Sequence, residues 1–281
     1  MGKTRGRLDV VATPIGNLGD LSPRARQALA DASLIAAEDT RHTGALLQAV
    51  GLSRPMVSLH EHNEAGRIPE LLARLEAGET IALVSDAGTP LLSDPGFELV
   101  RAAAARGVTV QAIPGPSAIT AALAVAGLPT DRFCFEGFLP AQAGERRNRL
   151  GQLAAERRTL VFFEAPHRIA GTLTDLAAIF GASRPAVVAR ELSKLHETIY
   201  RGTLEELAAR AGQEENFTRG EITVVVQGAP ESDAAAATYS LEQVVGLLVK
   251  ELPPGKAAAI AAQLTGARRS DAYAIALRMK G

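Results

Sequence analysis

The stretch TIALVSDAGTPLLSDPG, residues 80–96, decides the architecture. Thr80–Val84 is a short apolar run bounded by Gly78 and by a segment dense in Gly and Pro, which is the pattern of a buried strand. Ser85–Gly96 continues neither strand nor helix. Its Gly and Pro residues make a rigid loop with exposed backbone N–H groups, at the end of a strand where α/β proteins bind ligands. The flanks are helical. Ile68, Leu71, Leu72 and Leu75 fall at i, i+3, i+4 and i+7 and Gly78 ends that helix, while Val100–Arg106 forms a second helix closed by Gly107. Strand alternating with helix predicts an α/β sheet.

The alternation extends outward in both directions. Leu8–Ala12 is a first strand, left by the loop Thr13–Leu18. Ser22-Pro23 then opens a helix, with Ser as N-cap and Pro at the first helical position. Val108–Ile113 is another strand, followed by Pro114-Gly115-Pro116-Ser117 and a helix over Ala118–Ala126 that Gly127-Leu128-Pro129 breaks. A second unit begins near Asp131. Phe133–Gly137 and Thr159–Phe163 read as strands around a charged helix, with further strands at Pro185–Arg190, Thr198–Tyr200 and Glu221–Gln227. The 198–203 and 221–227 segments read as close, with no long helix between them, so a mixed sheet is expected. Residues 229–238 (APESDAAAAT) read as a linker, and 240–281 as three short helices broken by Pro253-Pro254-Gly255 and by Gly266. The expected domains are 1–127, 128–230 and 238–281.

Composition narrows the function. A chain of 281 residues suggests about two domains. With a net charge of -1 there is no global positive field, so any RNA contact must be local. Two stretches qualify: 145–158, with five Arg against two Glu, and 238–281, with six Lys or Arg against three acids. The first reads more readily as a solvated charged face, and the second equally as one. The single cysteine, Cys134, excludes an internal disulfide and a cysteine metal cluster, and between Phe133 and Phe135 it reads as a buried small hydrophobe. His60-Glu61-His62 would place two imidazoles on one strand face without a third ligand, so no metal site is expected, and the fragment reads as a polar loop near the cleft. The N-terminal MGKTRGRLDVVATPIGN has no apolar core of a leader, and no run approaches about 18 apolar residues, so no membrane span and a cytoplasmic location are expected.

Three loops at strand ends carry the candidate chemistry. Thr13-Pro14-Ile15-Gly16-Asn17-Leu18 lacks the glycine fingerprint of a dinucleotide site. In Ser85–Gly96, Asp86 can bond a ribose hydroxyl or a ligand amino group, whereas Asp94 reads as the cap of the helix after Pro95. Ser117 is a reasonable N-cap, yet a Gly/Ser turn at a helix N-terminus also offers donors to a carboxylate or an adenine. In this order and spacing the loops resemble the tetrapyrrole methylase superfamily. The motifs Ala37-Glu38-Asp39-Thr40-Arg41, Phe163-Glu164-Ala165-Pro166-His167-Arg168, Arg190-Glu191-Leu192-Ser193-Lys194-Leu195-His196-Glu197 and Gly220-Glu221 look like its ribosomal RNA small-subunit methyltransferase branch. The resemblance runs from about Asp9 to Gln227, and the tail also looks like that branch's small helical domain.

The resemblance implies an α/β fold: two α/β domains of the tetrapyrrole methylase type with a cleft between them, plus a small C-terminal helical domain. It implies S-adenosyl-L-methionine as cofactor and the 2′-hydroxyl of a cytidine in the decoding centre of 16S rRNA, in the small ribosomal subunit, as methyl acceptor. A homodimer is implied as well. Mapped residue by residue, the superfamily's cofactor pattern falls on Ile15, Asp86, Thr89, Ser117, Ala118 and Ala165. Glu164 stands where other branches carry different residues.

The reaction needs a hydroxyl oxygen placed in line with the donor methyl, and a group that takes its proton. Asp39, Glu164 and Glu191 are the candidate acceptors. Each sits beside a base, and each reads equally as half of a structural ion pair. Arg190 joins them in the expected catalytic set. Arg41, Arg168 and Lys194 suit contact with substrate phosphate or orientation of a carboxylate. The charges of the second unit are expected at the cleft mouth, because burying them unpaired costs several kcal/mol. Two rivals remain: a superfamily member acting on a tetrapyrrole or a protein side chain, and a noncatalytic nucleic-acid-binding protein working through its tail.

Overall fold

The computed structural model describes residues 6–230 and 240–280. The described chain separates into one unit over Met1–Ala229 and another over Pro230–Gly281. Most of the expected 229–238 linker lies outside the described residues.

The first unit holds two sheets. The first is built from β1 (Arg7–Val11), β2 (Leu34–Ala37), β3 (Met56–Ser58), β4 (Thr80–Val84) and β5 (Thr109–Ile113), in the order β3-β2-β4-β1-β5. Every pairing in it is parallel. A parallel sheet must be covered on both faces. Alternate residues divide accordingly. Leu8, Leu34, Ala36, Ile81 and Leu83 pack with Leu71, Leu72 and Leu75 of α3 (Glu64–Glu76) and with Leu99 of α4 (Phe97–Ala105). Val11, Ile35, Ala37, Ala82 and Val84 pack with Ala25, Ala28 and Leu29 of α1 (Pro23–Asp31) and with Leu47 of α2 (Thr40–Ala49). Ser22 caps α1 as expected, its hydroxyl accepting from the Ala25 N–H at 3.0 Å.

The second sheet is mixed. It contains β6 (Phe133–Phe138), β7 (Thr159–Glu164), β8 (Pro185–Arg190), β9 (Thr198–Thr203) and β10 (Ile222–Val226), in the order β6-β7-β10-β8-β9. β6 runs parallel to β7, and the other pairings are antiparallel. The sheet is mixed as expected, but a helix, α8 (Leu204–Gln213), does lie between the 198–203 and 221–227 segments, and β8 stands between β9 and β10 in the sheet. One face carries α6 (Ala143–Leu153), α7 (Ile169–Phe180) and α8 around Phe162, Leu173 and Phe217. The other face receives α5 (Ala118–Ala126), whose Ile119, Ala122 and Leu123 pack on Val161, Val187 and Val225. The helix that follows the last strand of the first sheet therefore covers the second. Ile15, from the loop that leaves β1, joins the same cluster.

The second unit consists of α9 (Leu241–Leu248), α10 (Pro254–Thr265) and α11 (Arg269–Lys280), packed around Val245, Ala258, Ala261 and Ala276. Among the described residues no helix is long and apolar enough to cross a membrane.

Candidate active site

β4, β1 and β5 are adjacent and parallel, so the three loops leave their carboxyl ends side by side. They lock together there. Thr13 and Gly88 exchange backbone hydrogen bonds of 2.8 and 3.0 Å, and the Thr89 hydroxyl donates to the Pro116 carbonyl at 3.1 Å. Opposite them lie the ends of β7 and β8 and the start of β10, which antiparallel pairing brings to the same edge. Between the two sets is a mostly apolar cavity of about 380 Å³, within the range of small-molecule sites. Ile15, Thr89, Ser117, Ala118, Glu164 and Ala165 line it, as does Asp94.

Four non-glycine residues among those described have positive φ: Leu91 (75°), Ser93 (70°), Glu191 (54°) and Ser193 (67°). All fall in the two loops that supply Ser93 and Leu192 to the cavity wall. Left-handed backbone at such residues is costly and gathers at functional sites.

Asp94 does not cap the following helix. The N-cap is Gly96, with φ 114° and no side-chain bond, and Asp94 faces the cavity instead. Burial pushes its carboxyl up to about 6 against a hydrogen bond with Ser85, and the nearby Glu38 and Asp86 add to the rise. Ser117 also makes no capping bond, which leaves its hydroxyl on the cavity wall. Asp86, by contrast, does not line this cavity. It accepts from the Asp39 N–H at 3.0 Å and lines a second, adjoining cavity of about 400 Å³.

The expected proton acceptors are heavily engaged. Asp39 caps α2, accepting the Arg41 N–H at 2.8 Å, and Arg41 Nη2 grips it at 2.6 Å. That guanidinium holds the Asp39 carboxyl far below the usual range. Glu164 is not at a cleft mouth but buried, taking bonds from the Thr172 hydroxyl at 2.5 Å and the Ala165 N–H at 2.7 Å. Arg168 Nε lies 3.2 Å from it, while Nη2 donates to the Leu139 and Pro140 carbonyls. Arg190 Nη2 donates to the His196 carbonyl at 3.0 Å and the Thr198 hydroxyl at 3.3 Å. Glu191 Oε1 accepts from Lys194 Nζ at 2.9 Å and the Glu221 N–H at 2.8 Å; against its burial, those donors hold the carboxyl below its ordinary value. Lys194 also reaches Glu221 Oε1 at 3.0 Å; against its burial, the two carboxylates hold the ammonium above its usual value. Lys194 lines the second cavity, whereas Asp39, Arg41, Arg168, Arg190 and Glu191 line neither.

Glu221, not among the residues expected in the site, lines both cavities. The signal was present in Gly220-Glu221, but the amino end of a strand is not where parallel α/β proteins place chemistry. His60 and His62 sit in a loop, their rings edge to face at 6.0 Å. Cys134 is half-buried against the second core, not fully enclosed.

Residues 7–208 match the family Tetrapyrrole (Corrin/Porphyrin) Methylases, and residues 232–280 match the RsmI C-terminal HTH domain. The chain is 56% identical over 270 residues to a ribosomal RNA small subunit methyltransferase I of Xylella fastidiosa, covering 96% of this chain and 98% of that one. The protein of that name from Pseudomonas aeruginosa is 51% identical, with 98% of each chain covered. The chain belongs to the ribosomal RNA small subunit methyltransferase I family. The tetrapyrrole methylase fold of this family is also that of the uroporphyrin-III C-methyltransferase of Thermus thermophilus in complex with S-adenosylhomocysteine (TM-score 0.56, 22% identity, 79% of this chain and 97% of that one). Diphthine synthase shares it too, with a TM-score of 0.59 at 18% identity, over 79% of this chain and 90% of that one. S-adenosylmethionine is the methyl donor of the ribosomal RNA small subunit methyltransferase I family, and the first cavity suits it. The donor carries cationic sulfonium and ammonium groups, and the cavity offers a half-buried carboxylate, Asp94, on an otherwise largely apolar wall.

Proposed function

We propose that this chain transfers the methyl group of S-adenosylmethionine to the 2′-hydroxyl of a cytidine in the decoding centre of 16S rRNA, in the cytoplasm and as a homodimer. The observation that carries the reading is the near-full-length identity of 56% to a ribosomal RNA small subunit methyltransferase I. Bound, the donor supplies a methyl that is already electrophilic. The chain's own task is to hold it, exclude water and bring one hydroxyl into line. Ile15, Thr89, Ala118 and Ala165 supply the close-packed wall for the donor, the Ser117 hydroxyl and the start of α5 suit its carboxylate, and Asp94 faces its cationic groups. A second cavity beside the first gives the acceptor a place of its own, which a purely binding protein does not need.

Labelled methyl transfer tests this. Small subunits from cells lacking the activity should take up label from S-adenosylmethionine, and a porphyrinoid offered in parallel should not. Label on the porphyrinoid, or on neither, overturns the reading.

A further inference from the structure

The first and second cavities share a wall made by Ile15, Ala87 and Glu221. Two of these are apolar and one is a carboxylate. The second cavity has apolar sides from Leu18 and Leu46 and polar groups from His42, Asp86 and Lys194. A nucleoside needs that mixture of flat apolar contact and edge-directed polar groups.

The other carboxylates nearby are committed or misplaced. Asp39 is gripped by Arg41, Glu164 is buried against Thr172, and Glu191 serves Lys194 and the Glu221 N–H. Asp94 lines the first cavity but not the second, and Asp86 the second but not the first. Glu221 faces both and is 69% exposed.

Its position is built with care. Lys194 anchors Glu221 Oε1 at 3.0 Å, and Glu191 anchors Lys194 in turn. Two glycines make room for this pair. At Gly220 (φ 76°) a Cβ would stand 2.4 Å from the Glu191 carboxyl, and at Gly16 (φ 142°) one would stand 2.2 Å from Lys194 Cγ. Gly16 belongs to the first loop and Gly220 to the edge of the second sheet, so the anchor spans the gap between the two sheets.

We propose that Glu221 is the proton acceptor of the methyl transfer, with the accepting nucleoside seated in the second cavity; this rests on the function proposed above. The hydroxyl oxygen forms a bond to the methyl carbon as the carbon–sulfur bond breaks. The pair of that bond stays on sulfur, which becomes a neutral thioether, and the hydroxyl proton passes to Glu221. Lys194 and Glu191 are positioning residues that fix where the carboxylate stands.

The test is single-turnover methylation of unmodified small subunits by the full-length protein at saturating donor, with donor affinity measured by calorimetry. Glu221→Gln should lower the rate constant by about 100-fold, as expected for loss of one acid–base group, and change donor affinity by less than about twofold. Glu221→Asp should restore about tenfold of that loss. Leu46→Trp, which fills the second cavity, should weaken RNA binding with donor affinity unchanged. The proposal falls if Glu221→Gln works within about threefold of the unaltered protein, or if its whole loss is in donor affinity. Normal RNA binding by Leu46→Trp also overturns it. If the unaltered protein puts no methyl on ribose, the proposed function falls with it; if it does and Glu221→Gln is near normal, only this inference falls.

Discussion

At Asp94, burial and neighbouring charge act in the same direction. An aspartate of an unfolded chain titrates near about 4, and in the fold Asp94 titrates at about 6. The fold thus favours its protonated form. The stability this contributes is complete below about pH 4 and is lost as pH rises through about 6. A cationic donor prefers the opposite state, so donor affinity should rise with pH up to about 6 and level off above it. Calorimetry across that range checks the trend, and Asp94→Asn should flatten it while weakening binding by about tenfold. Asp86→Asn should cost much less; a larger loss there would reverse the two roles. Glu164 calls for a different measurement. Removing its carboxyl strands the Thr172 hydroxyl and the Ala165 N–H in a buried place, so Glu164→Ala should destabilise the protein by about 3 kcal/mol in urea unfolding. An unchanged midpoint with a slowed reaction would make it a chemical group instead. Neither environment could be read from the chain. Asp94 before Pro95 looks like a cap, and Glu164 beside Arg168 looks like a surface pair, because burial depends on what the second sheet brings opposite.

The elements that were legible are those with punctuation. Gly and Pro mark the ends of β1, β4 and β5, and Gly127 marks the end of α5, so the three loops stood out. β2 and β3 were not read as strands, because four and three residues are too few to show a period. The helix α8 was overlooked despite a capping box in which the Thr203 hydroxyl accepts from the Glu206 N–H and Glu206 returns a bond to the Thr203 N–H. The helix α6 shows a charge pattern resolved by packing. Arg146 is buried against Asp175 at 2.7 Å, Arg147 approaches the same carboxylate at 3.5 Å, and Arg149 pairs with Glu136 at 2.6 Å. What reads as a basic stretch is in large part internal ion pairs. Arg146→Ala should therefore cost about 3 kcal/mol by leaving Asp175 buried with only the looser Arg147 contact. Chemical denaturation measures that, and a loss under about 1 kcal/mol would return the stretch to the surface role.

At the scale of the molecule, α5 follows the last strand of the first sheet and packs on the second, two adjoining cavities are lined by loops of both, and a separate helical unit follows. The tail has a core of its own, and its sequence carries six Lys or Arg against three acids, whereas the arginines of 145–158 are in large part taken up by internal ion pairs. Removing 238–281 should leave donor affinity within about twofold while lowering methylation of small subunits by about tenfold or more. Unchanged methylation would assign the tail another task. The relation between fold and function rests on one claim: that the donor in the first cavity meets a ribose hydroxyl and no other nucleophile. Its most direct test uses S-adenosylmethionine with a deuterated methyl group, unmodified small subunits and mass spectrometry of the digested RNA. The heavy methyl is expected on the ribose of a single cytidine of the decoding centre. A heavy methyl on a base, or RNA that carries none, would contradict it.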